Sequence, residues 1–514
     1  MLPRNQRFVH ALSASFPEFI SGGQTLPAMA YGGPQIQVNG YHLRGPGLSI
    51  MDCRQNEFIR TPPNYPFKKV FRVMSYNVLS DNLCQIHSEL YTSCQREALD
   101  FGYRKRKIID EILKFRPSIV CLQEVDEEYF QSFYLHELSK NGYDGEFVRR
   151  TDANVDGVAI FYKKIDFKLL EWKPVEYFVS KTAILNRGNV GMVMALQPVE
   201  YKELRLPTRV CVANTHLLFN MKRGDIKLAQ LAYLLANLHQ IAQKPDQPAG
   251  SYYPSFLCGD LNSTPNSDLC TFIKSGYINY AEKDKYYISG QIHCYPQTRR
   301  SFIPASILPP FLSHRCTLLP AATSFAGTAT NPSDDRLSAT GSSKRDRSPS
   351  NSQSEASKTK KSDILAFPQA AAARNEPEVS DSVFSSEAPS AARSSNQFCN
   401  MSASTSRAAQ PGQDEPWGEL RHQFKFCSSY KHTIDRYGYY NVPGVTTMHH
   451  GQAGLKVDHI FYAGSKPPQG RYNLLLLNRY GLVSEQEISA AGHIPNMEVP
   501  SDHLPIVAEF CLTK

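Results

Sequence analysis

From Phe67 onward the chain becomes a succession of apolar runs with two different periods. "FKKVFRVMSYNVLS" is a strand-length run that ends on Ser-Tyr-Asn. "YRKRKIIDEILKFRPSIVCLQEV" then places Ile108, Ile109, Ile112 and Leu113 at helical spacing. Pro117 stops that helix, and the continuous apolar run "SIVCLQEV" reads as a strand buried on both faces, ending on Gln123-Glu124. Further strands are predicted at "DGVAIFYKK", "NVGMVMALQPV" and "TRVCVANTHLL", and the last leads into an amphipathic helix, "GDIKLAQLAYLLANLHQIAQ". A strand "SFLCGDLN", a short helix "SDLCTFIKSG" and a terminal turn and strand "SDHLPIVAEFCL" complete the pattern.

Two stretches lack any such period. Residues 1–65 are rich in Gly, Pro and Asn and read as a poorly ordered leader. Between about 320 and 415 the chain is rich in Ser, Ala and charge ("SSKRDRSPSNSQSEASKTKKSD"), with few large apolar residues, which predicts a disordered insertion. The flanking segments are expected to form one domain over 66–514, because the last strands need partners.

Composition bounds the class. Of the 514 residues 41% are hydrophobic, enough for a sizeable core, and a net charge of +8 permits nucleic-acid contact without requiring it. The twelve cysteines include no C-x-x-C pair, and Cys121, Cys211, Cys258 and Cys511 lie inside apolar runs, which argues for a reducing compartment and against disulfide-linked partners or a zinc site. No stretch is long enough to cross a bilayer, so no membrane role is expected. The first twenty residues carry arginines and no acid before Glu18, yet their weak amphipathic pattern argues against a mitochondrial presequence. A cytoplasmic or nuclear location is expected, since "SSKRDR" and "KTKK" resemble split nuclear-import clusters. The basic "YRKRK" reads as a solvated helix face, and Asp225 of "RGD" as a helix N-terminal residue.

The predicted strands deliver polar residues as they leave the core: Asn77, Glu124, His216, Asp260 with Asn262, Asp458 with His459, and Asp502 with His503. Alternation along the strand predicts that Asp260 and Asn262 share one face while Leu261 turns inward. The set holds carboxylates, amides and histidines, with no serine elbow, no Walker loop and no cysteine paired to a base. A few carboxylates suit a hard cation such as magnesium beside substrate phosphate oxygens. Asp260 can then orient or deprotonate water, Asn262 can bond a phosphate oxygen, and a carboxylate-held histidine can stabilise or protonate the reacting oxygens.

"MSYNVLS", "CLQEV", "ANTHL", "CGDLNS", "VDHIFY" and "SDHLPI", in this order, resemble the successive motifs of the exonuclease–endonuclease–phosphatase superfamily. Within it, "NVGMVMALQP", "CVANTHLLFNMKRGDIKLAQLAYLLA" and "CGDLNSTP" are similar to the Angel proteins, relatives of nocturnin and the carbon-catabolite-repressor deadenylases. The resemblance implies a four-layer α/β/β/α sandwich. It also implies Glu124 as principal metal ligand with Asn77 and Asp502 beside it, Asp260 positioning the nucleophile, Asn262 and His216 on the phosphate, and His503 as catalytic histidine oriented by Asp458. His459 is taken as structural. The cofactor implied is Mg2+, with Mn2+ as a substitute, and the partner is an RNA 3′ end. The Angel-like segments favour hydrolysis of a 2′,3′-cyclic phosphate to a cis-diol; the alternatives are 3′ to 5′ removal of poly(A) and a non-catalytic RNA-binding scaffold.

Overall fold

The computed structural model describes residues 56–64, 66–245, 250–292, 300–309, 418–430, 444–448, 453–464 and 473–513, with positions 50, 54, 247, 248 and 312. The predicted insertion and almost all of the predicted leader lie outside the described residues. Ile50 and Arg54 are nevertheless buried, and Asn56–Phe58 is an edge strand paired with Leu474–Tyr480, so packing begins ahead of Phe67.

Six strands carry the site: β1 (Lys68–Asn77), β2 (Ile119–Asp126), β3 (Val210–His216), β4 (Ser255–Asp260), β5 (Asp458–Ala463) and β6 (Ile506–Thr513). One seven-stranded sheet has β6, β1 and β2 at its centre, flanked by Leu474–Tyr480 and Asn56–Phe58 on one side and by Asp156–Lys163 and Tyr143–Arg149 on the other. A six-stranded sheet runs Cys427–Ser428, β5, β4, β3, Asn186–Pro198 and Phe167–Phe178. β5 and β6, which follow residue 415, pair with β4 and β1, which precede residue 320.

Each sheet contains one parallel pair, β1 with β2 and β3 with β4, and a parallel pair needs a crossover. The crossovers contain helices α1 (Phe101–Phe115) and α2 (Gly224–Ala242). Asp100 caps α1 by accepting from the Tyr103 N–H at 2.8 Å, and Arg116, at φ 47°, ends it one residue before Pro117.

Period-2 alternation sorts the strand residues into layers. Phe71, Val73, Ile119, Cys121, Val212, Phe256, Cys258, Ile460 and Phe510 fill the space between the two sheets. Met74, Tyr76, Val120 and Leu122 face α1, whereas Cys211, Ala213, Leu257 and Phe461 face α2. The result is the α/β/β/α sandwich. α2 differs from its expected amphipathic form: most of its residues, from Ile226 to Ala242, are buried. Ile288, Ile303, Leu308, Leu420 and Phe424 belong to the same core, so the helix is enclosed rather than one-faced.

Candidate active site

Strand register assembles the site. His216 of β3 pairs with Asp260 of β4, and Asp260 pairs with Asp458 of the antiparallel β5, so the last residues of β3 and β4 lie side by side with the first residue of β5. All three continue the rows that face the other sheet: Val212 and Cys258 precede His216 and Asp260, and Ile460 follows Asp458. In the opposite sheet Asn77 ends the row of Phe71 and Val73, next to Gln123 of β2. The polar cluster is therefore one open end of the inter-sheet layer.

Beneath it lies a buried amide layer. Gln123 Nε2 donates to Asn214 Oδ1 at 2.7 Å and to Ser75 Oγ at 3.3 Å, and Asn214 Nδ2 donates to the carbonyls of Leu122 and Ala159. The bonds of Asn214 cross from sheet to sheet and fix their separation at the level of the site.

Asn77 ties two carboxylates together. Its Nδ2 donates to Glu124 Oε1 at 2.8 Å and Asp260 Oδ2 at 3.3 Å, while its Oδ1 accepts from the Leu79 N–H at 3.1 Å. In this arrangement Asn77 bridges Glu124 to Asp260 through its amide nitrogen. His216 lies between the same two acids, with Nδ1 3.8 Å from Glu124 Oε1 and Nε2 3.5 Å from Asp260 Oδ2. Glu124 and His216 keep some exposure, unlike Asn77, Asp260 and Asp458, which marks the side from which a substrate can enter.

Glu124 does not simply end its strand. It sits at φ 57° where the pairing of β2 with Asp156–Lys163 shifts by one residue, a bulge that swings its side chain to the cluster while the strand runs on to Asp126. Ser80 N–H donates to Glu124 Oε2 at 3.2 Å, and the same Ser80 donates its hydroxyl to Asp126. Burial, with Glu124 nearby, pushes Asp156 up to about 6.

Asn262 reaches the cluster by a different route from strand alternation. β4 ends at Asp260, and the Asn262 N–H donates to Asp260 Oδ1 at 2.8 Å, an Asx turn with Asn262 at φ 47°. Its Nδ2 donates to the Leu217 carbonyl at 3.1 Å, leaving a second amide hydrogen for a substrate oxygen. Gly259 makes this possible: a Cβ there would lie 2.0 Å from the Thr215 carbonyl oxygen.

His503 Nδ1 lies 2.8 Å from Asp458 Oδ2 and Nε2 lies 3.8 Å from Asp260 Oδ2. Burial alone disfavours its charged form, but Asp458, then Asp502 and Asp260, outweigh it and raise the His503 pKa well above that of an ordinary histidine. Asp502 accepts from the Tyr91 hydroxyl at 2.9 Å. Burial first, then the fields of Asp502 and Glu124, push the Tyr91 hydroxyl far up, so it stays a neutral donor between those acids. His459 points to the opposite face, stacks on Phe461, and has Nε2 2.8 Å from the Ser263 carbonyl; burial brings it down to about 3.

The donor set suits a hard cation. Glu124, Asp260, Asp458 and Asp502 crowd the site, and Asp458 Oδ1 is buried with no hydrogen-bond partner among the described residues. Donor atoms of Asp260, Asp458 and His503 all lie within 4.8 Å of one another. A protonated His503 bridging two carboxylates also explains that closeness.

Tyr91 and Asp126 carry no motif of their own and escape sequence reading, while Gln123 and Asn214 lie inside "CLQEV" and "ANTHL" without a role that the sequence assigns. Arg104 of "YRKRK" contradicts that reading: the residue is fully buried, with Nη1 bonded to the Leu79 carbonyl at 2.9 Å. It lies four residues before Ile108, on the buried stripe, and that spacing was the available signal.

A two-sheet sandwich with acids, amides and a carboxylate-held histidine at one end of its inner layer is the arrangement of a phosphoester hydrolase. Residues 74–503 match the Endonuclease/Exonuclease/phosphatase family. Protein angel homolog 2 of Homo sapiens is 33% identical over 452 residues, covering 86% of this chain and 69% of that protein. Protein angel homolog 1 of Homo sapiens is 33% identical over 456 residues, covering 86% and 62%. The crystal structure of ANGEL2, a 2′,3′-cyclic phosphatase, in complex with adenosine-2′,3′-vanadate, matches with a TM-score of 0.63 and 30% identity over 90% of this chain and 99% of that one. The chain belongs to the Endonuclease/Exonuclease/phosphatase family and, within it, to the Angel proteins.

Proposed function

We propose that this protein hydrolyses the 2′,3′-cyclic phosphate at RNA 3′ ends and leaves a cis-diol. The observation that carries the reading is the 30% identity, over nearly the full length of both chains, to a 2′,3′-cyclic phosphatase held with a ribose-bridging vanadate. Reaching a cis-diol breaks two P–O bonds and consumes two waters: ring opening leaves a monophosphate on one ribose oxygen, and a second hydrolysis releases inorganic phosphate.

Asp260 is suited to take the proton of the attacking water, since its buried carboxylate is oriented by Asn77 and by the Asn262 N–H. His503, held by Asp458, faces the same carboxylate and can give a proton to the departing ribose oxygen. Asn262 and His216 flank Asp260 and can bond the non-bridging oxygens. Glu124 and Asp502 would hold a magnesium ion, which when bound supplies positive charge to the phosphate in the transition state.

The test supplies purified full-length protein and Mg2+ with two RNAs, one ending in a cyclic phosphate and one in a plain adenosine tract. Loss of the cyclic phosphate with the tract intact is expected; stepwise shortening of the tract with the cyclic end untouched would replace this reading with a 3′ to 5′ exoribonuclease.

A further inference from the structure

Two fully buried basic side chains occupy matching places in the two parallel strand-helix-strand units. Arg104 is the fourth residue of α1 and Lys227 the fourth residue of α2, and each is 0% exposed. Stability alone does not favour either. Removing a charge from water costs several kcal/mol, and apolar residues of similar volume often do as well or better. Both also sit near the positive end of a helix, where a cation is disfavoured.

Neither charge is matched to a close carboxylate. Arg104 has Asp81 at 3.9 Å, and its donors go to backbone: Nη1 to the carbonyls of Leu79 at 2.9 Å, Val78 at 3.3 Å and Pro500 at 3.3 Å, and Nε to that of Leu99 at 3.3 Å. Lys227 Nζ donates to the Asn262 carbonyl at 2.8 Å and to Gln291 Oε1 at 2.6 Å.

Apart from that of Leu99, those carbonyls belong to the loops that present the site. Val78 and Leu79 follow Asn77, Pro500 precedes Asp502 and His503, and Asn262 is itself a site residue. Leu79 and Asn262 are held at φ 55° and 47°, conformations that persist only where the surroundings enforce them. Gln230, one turn beyond Lys227, adds a third tie, accepting from the Leu218 N–H at 3.0 Å just after His216.

We propose that Arg104 and Lys227 are a pair of positioning residues, each tying the loops at the open end of its sheet to the helix behind it so that Asn77, Asp502, His503 and Asn262 keep their hydrolytic arrangement. The consequence for catalysis rests on the reading above; the tethering does not.

Hydrogen–deuterium exchange on the full chain, with kinetics on RNA ending in a cyclic phosphate, tests both parts using Lys227→Met and Arg104→Lys. Lys227→Met is expected to raise exchange in peptides covering 260–264 and leave 77–81 unchanged. Arg104→Lys should do the reverse, loosening 77–81 and 499–503. Each should lower kcat by about tenfold or more with KM changed less than about twofold, because misplaced groups cost rate more than binding. Lys227→Arg, which restores a buried donor, should recover part of the loss. Unchanged exchange, exchange raised across helices and sheets alike, or failure of both variants to fold would overturn the proposal by assigning the cations to fold stability. A wild-type protein inactive on the cyclic end would defeat the functional reading while the exchange pattern still decided the tethering.

Discussion

His503 Nδ1 lies 2.8 Å from Asp458 Oδ2, and the far side of the same ring faces Asp260 Oδ2 at 3.8 Å. The histidine thus stands between two buried carboxylates, and in the proposed reaction Asp458 orients it while Asp260 activates water. Asp458→Asn should lower kcat by about 10² to 10⁴, the usual worth of a positioned acid or base, with little change in KM. His503→Ala should cost a similar factor, and the double variant little more than either single one, since the two act as a unit. Steady-state kinetics on a cyclic-phosphate RNA checks this; additive losses would separate their roles.

Crowded carboxylates repel one another until a cation joins them. Wild-type melting temperature should rise with Mg2+ and fall when a chelator removes it, by the linkage of binding to folding. Glu124→Gln should lose most of that response and be at least as stable as wild type in chelator. A calorimetric titration in which both proteins respond equally to Mg2+ would move the metal away from Glu124.

Gly259, at φ 139°, runs against the Thr215 carbonyl, and Asp260 follows it directly. Gly259→Ala should destabilise the protein by about 2–4 kcal/mol through strain at a special backbone position. Activity should also be lost in the fraction that folds, because β4 must move to admit the methyl group. Denaturant unfolding and specific activity of the folded fraction are the measurements.

Glu111 is buried in α1 and accepts from the Tyr76 hydroxyl at 2.6 Å. Burial pushes it up to about 7, against Tyr76 and Arg54, which pull it down. The folded state therefore holds a proton that the unfolded state releases near 4.5. The stability tied to that proton is complete below pH 4.5 and is lost as pH rises through 7. Glu111→Gln, which stays neutral, should show a flatter fall in melting temperature between those pH values; parallel curves would contradict the assignment.

The strands were legible because each buried run is continuous and then breaks into polar residues, as "SIVCLQEV" and "SFLCGDLN" do. Their register was not. His216, Asp260 and Asp458 are neighbours only through pairing across 242 residues, which a single sequence does not encode locally. The bulge at Glu124 and the Asx turn at Asn262 escaped for a related reason: period 2 assumes regular backbone, and both residues leave it at positive φ. Arg104 and Lys227 were hidden by their type, since a basic residue near a helix start looks solvated. Each lies four residues before a buried apolar one, Ile108 and Leu231, which marks the inward stripe.

The central claim is that the site removes a cyclic phosphate completely. Mass spectrometry of the RNA 3′ end after incubation with the full-length protein and Mg2+, paired with phosphate release, tests it most directly. The account predicts one inorganic phosphate per RNA end and a cis-diol terminus on RNA of unchanged length, with no release by Asp260→Asn. A terminus that keeps a phosphate monoester, or RNA shortened by whole nucleotides, would contradict it.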